Sequence, residues 1–588
     1  MVFLALGPVN DPNDVYGQAP ILGEMRKMRK TQKKSRTWTR SLCAGAAALA
    51  LAAFPVTAAH AQDSASTGIS SGSASGSGSS SAAGSSSSPS SGNGQITNPG
   101  FNLDGTGTAT PTGWTTTGTS GASFTEATGY GYNGDAYQLT HWSSAAYDVD
   151  TWQRVTGLKN GDYTLGVWVK SGGGDTANYV ELQSGRASNQ TAVPVISDGS
   201  WLYIVTSVRV TDHEATIRLV SNSAAGDWTN YGLVTLAPGY ASLPIRGGDV
   251  SSLVRGEQDG GVYYNQAGQQ QNALQILGDA GMNYVRLRVW VNPEDGFDDE
   301  QQLLEGARQA KAHHMKLFLD FHYSDTWTDP GDQATPAAWA NDTLPELEAQ
   351  IYSYSKKVVG DLVRQGTPPD MVQTGNEVNG GFLWPTGLNY GSTDAWPTFG
   401  ALLKSAIGGV KAADPHTQIA LHIANAADWS GVEWFYDNAI AQHVPFDVIA
   451  LSYYSYWHGY LDELQSTLDQ TAARYDKPII LAETAYPWTL QSGDPTASLS
   501  FSDPTELETG YPATPAGQAA MFRDTLSIVQ AVPNGLGLGA FYWEPTWTVV
   551  KGNGWDPTDP SAGDGWENQA MFDYTDKALP VINDYAPR

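Results

Sequence analysis

The sequence predicts an α/β protein, a (β/α)8 TIM barrel preceded by a β-sandwich. Three observations predict this fold. The second half of the chain repeats a strand-then-helix rhythm, residues 96–240 have short alternating strands between turn residues, and a Ser/Gly-rich stretch precedes both. These boundaries divide the 588 residues into four predicted parts, 1–61, 62–95, 96–240 and 241–588.

The first part, residues 1–61, is typical of a leader that ends in a secretory signal peptide. Basic residues cluster between positions 26 and 40, an Ala/Leu-rich segment follows from Ala44 to Val56, and small residues suited to cleavage stand at 59–61. The apolar segment is too short to span a membrane. The single cysteine, Cys43, lies inside this signal, so no disulfide is expected after cleavage. We therefore expect a secreted protein.

Composition limits the partners of the chain. It carries 32 Lys and Arg against 60 Asp and Glu, a net charge of −28 at pH 7. Such a surface repels nucleic acid and anionic membranes, and it favours a neutral glycan over a polyanionic one. The 20 Trp and 28 Tyr could stack on sugar rings, although a large core uses aromatic residues too. We expect a monomer with neither a nucleic-acid nor a membrane partner.

The second and third parts differ sharply in composition. Residues 62–95 are mostly Ser, Gly and Ala, which cannot bury apolar surface, so this segment is expected to be a flexible tether. From residue 96 the pattern changes to alternating strands, of which 162–169 is the clearest, and Asn160-Gly161 is a tight-turn signal. Short strands of this kind predict a β-sandwich.

The fourth part contains eight strand candidates with helix candidates between them. The strands are 245–250, 282–290, 316–322, 371–377, 419–424, 446–454, 478–483 and 537–543, and the helices are 299–313, 347–364, 399–412, 459–475 and 515–531. A doubly wound sheet would need a Gly-rich phosphate turn after its first strand, and none is present. Eight strand–helix units therefore predict a TIM barrel with long loops.

Two glutamates, Glu377 and Glu483, each close an apolar strand candidate. An ionised carboxylate beside buried β-branched residues is costly unless it has a partner or a function. In a barrel of parallel strands the C-terminal strand ends form the active face, and two carboxylates there are the groups that hydrolyse glycosidic bonds. The alternative is a pair of structural ion pairs, but the occurrence of two such glutamates favours catalysis.

The second and third strands carry polar side chains at alternate positions, which places them inside the barrel. Arg286 and Arg288 need carboxylate partners there, and we expect one of them to pair with the nucleophilic glutamate and lower its pKa. Arg288 is nearer the mouth and is the preferred active-site residue. Asp320 and His322 are candidate sugar contacts, although a lone inward histidine is as often a hydrogen-bonded core residue. A metal is not expected, because no second histidine stands at ligand spacing.

Further candidates for sugar binding stand beside the glutamates. Asn376 directly precedes Glu377 and could bind a sugar 2-hydroxyl, or merely cap a loop. Trp543 ends the eighth strand and could form an aromatic floor. Other tryptophans stand in loops after the strands, namely Trp327, Trp339, Trp384 and Trp457. Each alone is as consistent with packing, but together they predict a sugar-lined cleft.

Several motifs spread over residues 245–588 make the barrel similar to a known family. They are Arg246-Gly247-Gly248-Asp249-Val250, Arg286-Leu287-Arg288-Val289-Trp290, Asp320-Phe321-His322-Tyr323-Ser324-Asp325, Thr374-Gly375-Asn376-Glu377, Ala482-Glu483-Thr484-Ala485-Tyr486-Pro487 and Phe541-Tyr542-Trp543-Glu544-Pro545. In these motifs the chain resembles arabinogalactan endo-β-1,4-galactanases of glycoside hydrolase family 53. The resemblance implies a retaining endo-glycosidase acting on plant cell-wall galactan or arabinogalactan, with Glu377 as acid/base and Glu483 as nucleophile.

The resemblance also bears on cofactors and on the third part of the chain. It implies that no cofactor is required, but that a structural calcium is possible, since bacterial relatives can hold one after strand seven. Here that loop, 492–498, offers only one carboxylate, Asp494. Residues 96–240 resemble, more weakly, a carbohydrate-binding sandwich of the galactose-binding-like kind, through Asn98-Pro99-Gly100-Phe101 and Gly113-Trp114.

Two alternatives to a galactanase stay open. One is another enzyme of the same clan, such as a β-mannanase or a cellulase, because loop residues rather than the glutamate pair would decide the substrate. The other is a non-catalytic glycan-binding surface protein with a relic barrel, against which the intact glutamate pair argues. A reducing-sugar assay on galactan, mannan and cellulose separates all three.

Overall fold

A computed structural model of the chain describes residues 91–586, apart from 93, 128–130, 173–176, 195–200, 240–242, 391, 509 and 557. The predicted leader and most of the predicted tether lie outside these residues. Among the described residues, no helix is both long enough and apolar enough to cross a membrane.

The N-terminal part consists of two packed sheets, so the β-rich prediction for this region is confirmed. One sheet has the order β1-β5-β10-β7-β8 with β2 also on β5, and the other has the order β3-β4-β11-β6-β9. Its strands are β1 (Ser91–Gly92), β2 (Thr115–Gly118), β3 (Ser123–Ala127), β4 (Tyr137–Trp142), β5 (Tyr147–Thr156), β6 (Gly161–Gly172), β7 (Tyr179–Ser184), β8 (Ala187–Ala192), β9 (Leu202–Val210), β10 (Glu214–Ser223) and β11 (Trp228–Pro238). Leu139 and Val167 from one sheet and Ile217 and Leu219 from the other are fully buried between them.

The C-terminal part is a closed barrel of eight parallel strands, as predicted. The eight barrel strands are β12 (Ile245–Asp249), β15 (Tyr284–Val289), β16 (Lys316–Phe321), β17 (Met371–Thr374), β18 (Gln418–Ala424), β19 (Val448–Tyr453), β20 (Ile479–Thr484) and β21 (Gly537–Trp543). A small hairpin of β13 (Tyr263–Tyr264) and β14 (Gln270–Gln271) lies outside the barrel. Each predicted strand overlaps one of the eight, because most of them are rich in apolar residues and bounded by turn residues; β12, with the sequence Ile-Arg-Gly-Gly-Asp, is an exception.

Helices cover the outside of the barrel. They are α1 (Leu253–Gln258), α2 (Ala273–Asp279), α3 (Glu300–Ala312), α4 (Leu344–Gln365), α5 (Trp396–Ala413), α6 (Trp429–Ala441), α7 (Ser455–His458), α8 (Leu461–Tyr475) and α9 (Pro515–Ala531). The sequence does not indicate α1 and α2, which are too short to show a period, or α6, whose aromatic residues and Gly431 have low helix propensity. Sandwich strand β9 packs against α9 and also touches α8.

The barrel interior is layered, and the layers decide where the polar side chains lie. Apolar side chains from all eight strands fill its lower part, among them Tyr284, Phe318, Met371 and Phe541. On β15, β16, β17 and β18 the next inward positions are polar, namely Arg286, Asp320, Gln373 and His422. This alternation places the functional side chains at the C-terminal mouth, above an apolar floor.

Candidate active site

Two strand ends bring Glu377 and Glu483 to the same place. β17 ends at Thr374, and the chain then turns to Glu377, whose φ of 47° lies in the left-handed region. Glu483 is the penultimate residue of β20. One carboxylate oxygen of each glutamate and one ring nitrogen of His422 lie within 4.8 Å of one another. The structure therefore unites the two carboxylates that stand at strand ends in the sequence.

Glu483 is held by one cation and one phenol. Its Oε1 lies 2.9 Å from Arg286 Nη2, and the Tyr454 hydroxyl donates to Oε2 at 3.0 Å. Burial raises the pKa of Glu483, and Arg286 opposes that rise. The charges of Asp320 and Asp249 raise it further, so the pKa of Glu483 stays above its usual range, although Arg286 lowers it as predicted for one of the two arginines.

Glu377 lies in the same buried pair without such a cation contact of its own. Burial and the charge of Glu483 raise the pKa of Glu377 well above its usual range, and the hydrogen bond with Ser452 only partly offsets the rise. The charge of Asp329 adds to it, and Arg286 has the smallest effect of these groups. A proton on this pair is therefore held on Glu377, while the charge resides on Glu483.

Arg286 is the cation at the centre of the site. Its guanidinium contacts Asp249 Oδ2 at 2.7 Å, Asp320 Oδ2 at 2.9 Å and Glu483 Oε1 at 2.9 Å, and the side chain is 1% exposed. It also donates to Asn376 Oδ1 at 2.8 Å. The sequence correctly predicts that one of the two arginines pairs with the nucleophile candidate. That arginine is Arg286, and not the preferred Arg288.

Arg288 lies in a neighbouring network, which shares Asp249 with Arg286 through a 3.8 Å approach of Arg288 Nη1 to Asp249 Oδ1. Its Nε lies 2.7 Å from Asp298 Oδ2, its Nη1 contacts Glu544, and its guanidinium lies 4.3 Å from the centre of the Trp327 ring. At 2% exposure it is enclosed by these groups. Burial raises the pKa of Glu544, Arg288 lowers it, and the charge of Asp249 raises it again. The pKa of Glu544 is thereby raised to about 8. Arg288 thus supports the aromatic wall from beneath, and its direct contact with a sugar stays a prediction.

The third-strand candidates, Asp320 and His322, are buried and bonded to neighbouring protein groups. Asp320 is fully buried, and its carboxylate accepts from Arg286, from His322 Nε2 at 3.1 Å and from Gln373 Nε2 at 2.6 Å. The other ring nitrogen of His322 accepts the backbone N–H of Thr328 at 3.2 Å. Both nitrogens of His322 and both oxygens of Asp320 thus have protein partners, and sugar contact by these two residues stays a prediction.

Asn376 lies at the edge of the same network. Its Oδ1 accepts from Arg286, and its Nδ2 donates to the Thr328 carbonyl at 2.8 Å. The amide nitrogen has two hydrogens, so one of them is left for a sugar hydroxyl. A role for Asn376 in binding the sugar 2-hydroxyl stays a prediction.

Tryptophans form one wall of the site. Trp327 stacks on Trp555 with centroids 4.9 Å apart, and Trp543 packs edge-to-face on Trp566 at 4.6 Å. Trp543 is only 9% exposed, Trp327 and Trp384 are half-buried, and Trp555 is 41% exposed. Trp555 and Trp566, which the sequence does not indicate as site residues, thus lie beside the predicted Trp327 and Trp543. Sugar contact at Trp327, Trp384 and Trp543 stays a prediction.

Sequence reasoning also overlooks His422 and Tyr454. His422 is fully buried, its Nε2 lies 2.8 Å from Ser452 Oγ, and its Nδ1 lies 3.3 Å from the backbone nitrogen of Glu377. Burial lowers the pKa of His422 well below its usual range, so the ring is neutral. The alternation of the 419–424 run places residue 422 inward, and that signal could have found it.

The loop after β20, where the family resemblance makes a calcium possible, has these oxygen donors around it. Asp494 is close enough to raise the pKa of Asp564 and of Glu567, although burial is the main cause in both. Asp564 Oδ2 and Glu567 Oε2 are buried with no hydrogen-bond partner, while Glu567 Oε1 accepts from Ser492 Oγ at 2.8 Å. Two acids with unsatisfied buried oxygens, Asp564 and Glu567, together with the carboxylate of Asp494, are the donor types that a hard cation prefers. The second and third carboxylates, which the loop sequence alone lacks, come from the segment after β21.

Comparison with known proteins identifies relatives of the barrel. The family model described as Glycosyl hydrolase family 53 matches residues 245–585. An Endo-beta-1,4-galactanase of Bacillus subtilis is 35% identical over 372 residues, which cover 58% of this chain and 84% of that protein. An Arabinogalactan endo-beta-1,4-galactanase of Thermothelomyces thermophilus is 37% identical over 350 residues, with 58% and 98% covered.

Two solved structures resemble the same part of the chain. The Ignisphaera aggregans GH53 catalytic domain is 39% identical with a TM-score of 0.55, and the match covers 58% of this chain and 95% of that domain. A structure from a study of two fungal beta-1,4-galactanases is 33% identical with a TM-score of 0.50, covering 58% and 99%.

Proposed function

The chain belongs to glycosyl hydrolase family 53 and is a glycoside hydrolase, and from that premise we propose that it is a retaining endo-β-1,4-galactanase. The names of its relatives support the bond and the endo mode of attack. The observation that carries the proposal is the buried pair of Glu377 and Glu483, whose nearest carboxylate oxygens lie within 4.8 Å. Carboxyl groups about 5–5.5 Å apart are the retaining arrangement, whereas inversion needs about 6.5–9.5 Å to admit a water.

The two glutamates take different parts in this mechanism. Glu483, kept ionised by Arg286 and Tyr454, attacks the anomeric carbon, while Glu377 gives its proton to the departing glycosidic oxygen. A covalent galactosyl ester on Glu483 results. Glu377, now a carboxylate, takes a proton from water, which attacks the anomeric carbon and releases Glu483. Both carboxylates return to their starting protonation states.

The proposal is tested first by substrate and stereochemistry. Reducing-sugar release from β-1,4-galactan should greatly exceed release from mannan and cellulose, and NMR should show the β-anomer first. Faster release from mannan or cellulose would favour another enzyme of the same clan, and the α-anomer would indicate inversion. No release from any of the three would favour a non-catalytic glycan-binding protein.

Two variants test the residue roles. Glu483→Gln keeps the side-chain shape but cannot act as a nucleophile, so turnover should vanish while galactan binding persists. Glu377→Ala should retain activity on aryl galactosides with a good leaving group, because such a group needs little protonation, and azide should restore the second step. Azide rescue of the Glu483 variant instead would mean that the roles are exchanged.

The remaining parts of the chain suit an extracellular enzyme. We propose that residues 1–61 direct secretion, that the substrate is galactan or arabinogalactan of pectin, and that the enzyme acts as a monomer. The sandwich is proposed to bind glycan and raise local enzyme concentration on insoluble wall material. Calcium, held by Asp494, Asp564 and Glu567, would neutralise buried acids and link the loops after β20 and β21. Analysis of the culture medium, gel filtration and glycan pull-down test these points separately.

A further inference from the structure

The loop after β16 is bonded to the backbone that presents Glu377. Gln333 is 1% exposed, and its side-chain Nε2 donates to the Asn376 carbonyl at 2.7 Å and to the Asp329 carbonyl at 3.0 Å. The Glu377 carbonyl lies 3.4 Å from the same nitrogen. The buried Gln333 amide thus faces the backbone carbonyls of Asn376 and Glu377, which follow β17, and that of Asp329 in its own loop.

The backbone at this point needs such support. Glu377 has a φ of 47°, a left-handed conformation that costs a residue with a Cβ about 1–2 kcal/mol. Strain of this kind persists only where surrounding contacts fix it. The contacts here are the Gln333 bonds, the approach of the Glu377 N–H to His422 Nδ1 at 3.3 Å, and the Asn376 side-chain bond to the Thr328 carbonyl at 2.8 Å.

The same glutamine also joins two loops. The Trp384 N–H donates to the Gln333 carbonyl at 2.9 Å, and the Thr335 hydroxyl donates to the Trp384 carbonyl at 2.8 Å. The loop after β17 is therefore anchored to the loop after β16 on both sides of Glu377. A side chain that only filled space would not require both its amide hydrogens to be directed at carbonyls.

We propose that Gln333 is a positioning residue that holds the Glu377 carboxyl at the scissile oxygen. The inference rests on the proposed function, since it assumes that Glu377 is the acid/base. Without the Gln333 amide, the Asn376 and Asp329 carbonyls lose their donor, and the Asn376–Glu377 peptide can relax out of its left-handed turn. The carboxyl of Glu377 would then move away from Glu483 and toward water.

This displacement has a predictable sign in the pH profile. The charged and titratable groups around Glu377 are Glu483 on β20, Asp329 in the loop after β16, Arg286 on β15, His422 on β18 and Tyr454 directly after β19. Burial and the carboxylates keep the pKa of Glu377 high, so movement toward water lowers it. The basic limb of the kcat/KM profile, which reports the acid, should therefore move to lower pH.

The test is Gln333→Met, which is close in size but has no donor. We expect kcat on galactan to fall about 10- to 100-fold with KM changed less than about threefold, because misplacing an acid harms the chemical step. On a dinitrophenyl β-galactobioside, whose leaving group needs no acid, azide should recover most of the lost rate. Gln365→Met is the control: its amide bonds the Leu304 carbonyl at the other end of the barrel, and it should leave the profile unchanged.

The outcomes separate the two ideas. If Glu377→Ala keeps the wild-type rate on galactan, the proposed function fails. If that variant is inactive but Gln333→Met keeps wild-type kcat and an unshifted basic limb, only the positioning role fails. Rates are taken per folded enzyme, and Gln333→Asn, which keeps the amide on a shorter arm, should show an intermediate loss. Failure of both Gln333 variants to fold while Gln365→Met folds would assign Gln333 to stability, which overturns the proposal.

Discussion

Replacing Arg286 with lysine should move the acidic limb of the kcat/KM profile to higher pH. Arg286 contacts Glu483, Asp249 and Asp320 at 2.7–2.9 Å within a site that is almost fully buried. Lysine keeps the charge but has a single nitrogen on a flexible stem, so it cannot reproduce the fork that bridges three carboxylates. We expect it to remain with the two aspartates and to withdraw from Glu483.

The size of the shift follows from the geometry. Opposite charges about 4 Å apart attract by about 4 kcal/mol at an effective dielectric constant of about 20, equivalent to about 3 pKa units. Doubling the separation to about 8 Å halves the attraction, so about 2 kcal/mol, or about 1.5 units, is lost. Because burial already raises the pKa of Glu483, removing the opposing cation raises it further. Glu483 then becomes protonated at a higher pH, and the acidic limb moves up.

The assay is kcat/KM on soluble galacto-oligosaccharides across pH 4 to 9, with Arg288→Lys as the matched control. Arg288 is equally buried but pairs with Asp298 and Glu544, so its replacement should reduce stability without moving the acidic limb. The reasoning is refuted if Arg286→Lys leaves the acidic limb in place at full rate. It is also refuted if the two lysine variants shift it equally.

Three further predictions concern stability and substrate form. Folding raises the pKa of Glu377, so its burial costs stability at pH values above the pKa of a glutamate in the unfolded chain. Glu377→Gln should therefore raise the melting temperature at pH 7 and lose that gain toward pH 4, as calorimetry can check. Deleting residues 62–238 should lower the melting temperature, since β9 packs against α9. The same deletion should reduce rates on insoluble wall material, while rates on soluble oligosaccharides stay within about twofold. An equal loss on both substrates would make the sandwich a structural part of the barrel. Chelation with EDTA should lower the melting temperature by about 4 °C or more, and Glu567→Gln should abolish that response; an unchanged wild-type melting curve would argue against calcium.

Most of the strands were predictable because buried parallel strands are rich in apolar residues, although β12, with the sequence Ile-Arg-Gly-Gly-Asp, is not. The meeting of Glu377 and Glu483 was predictable for the same reason, since the ends of such strands converge on one face. Helix α6 was not, because its aromatic residues and Gly431 weaken the local signal, and packing against the barrel decides its conformation. The local sequence pattern thus predicts the apolar barrel strands, but it does not predict a helix such as α6 that depends on tertiary packing.

The partners of the two arginines were not predictable from alternation. Alternation places Arg286 and Arg288 inside the barrel, but it does not say which carboxylates reach them from other strands. Glu544 follows the eighth strand, so the sequence indicates a loop residue. In the structure its φ is 52° and its carboxylate contacts Arg288. With Arg288 occupied in this way, the deeper Arg286 is the one that serves Glu483. Such pairing across the barrel depends on strand register and turns, which a linear pattern does not contain.

The difference between the two glutamates follows from how one charge is shared. Arg286 contacts three carboxylates, those of Asp249, Asp320 and Glu483, so a single positive charge faces a surplus of negative charge in a buried space. That surplus is least costly when the carboxyl farthest from the guanidinium contacts holds a proton, and that carboxyl is Glu377. The asymmetry needed for an acid and a nucleophile therefore requires no difference between the two side chains themselves. It arises because Arg286 has one glutamate in its reach, and exchanging that contact would exchange the roles.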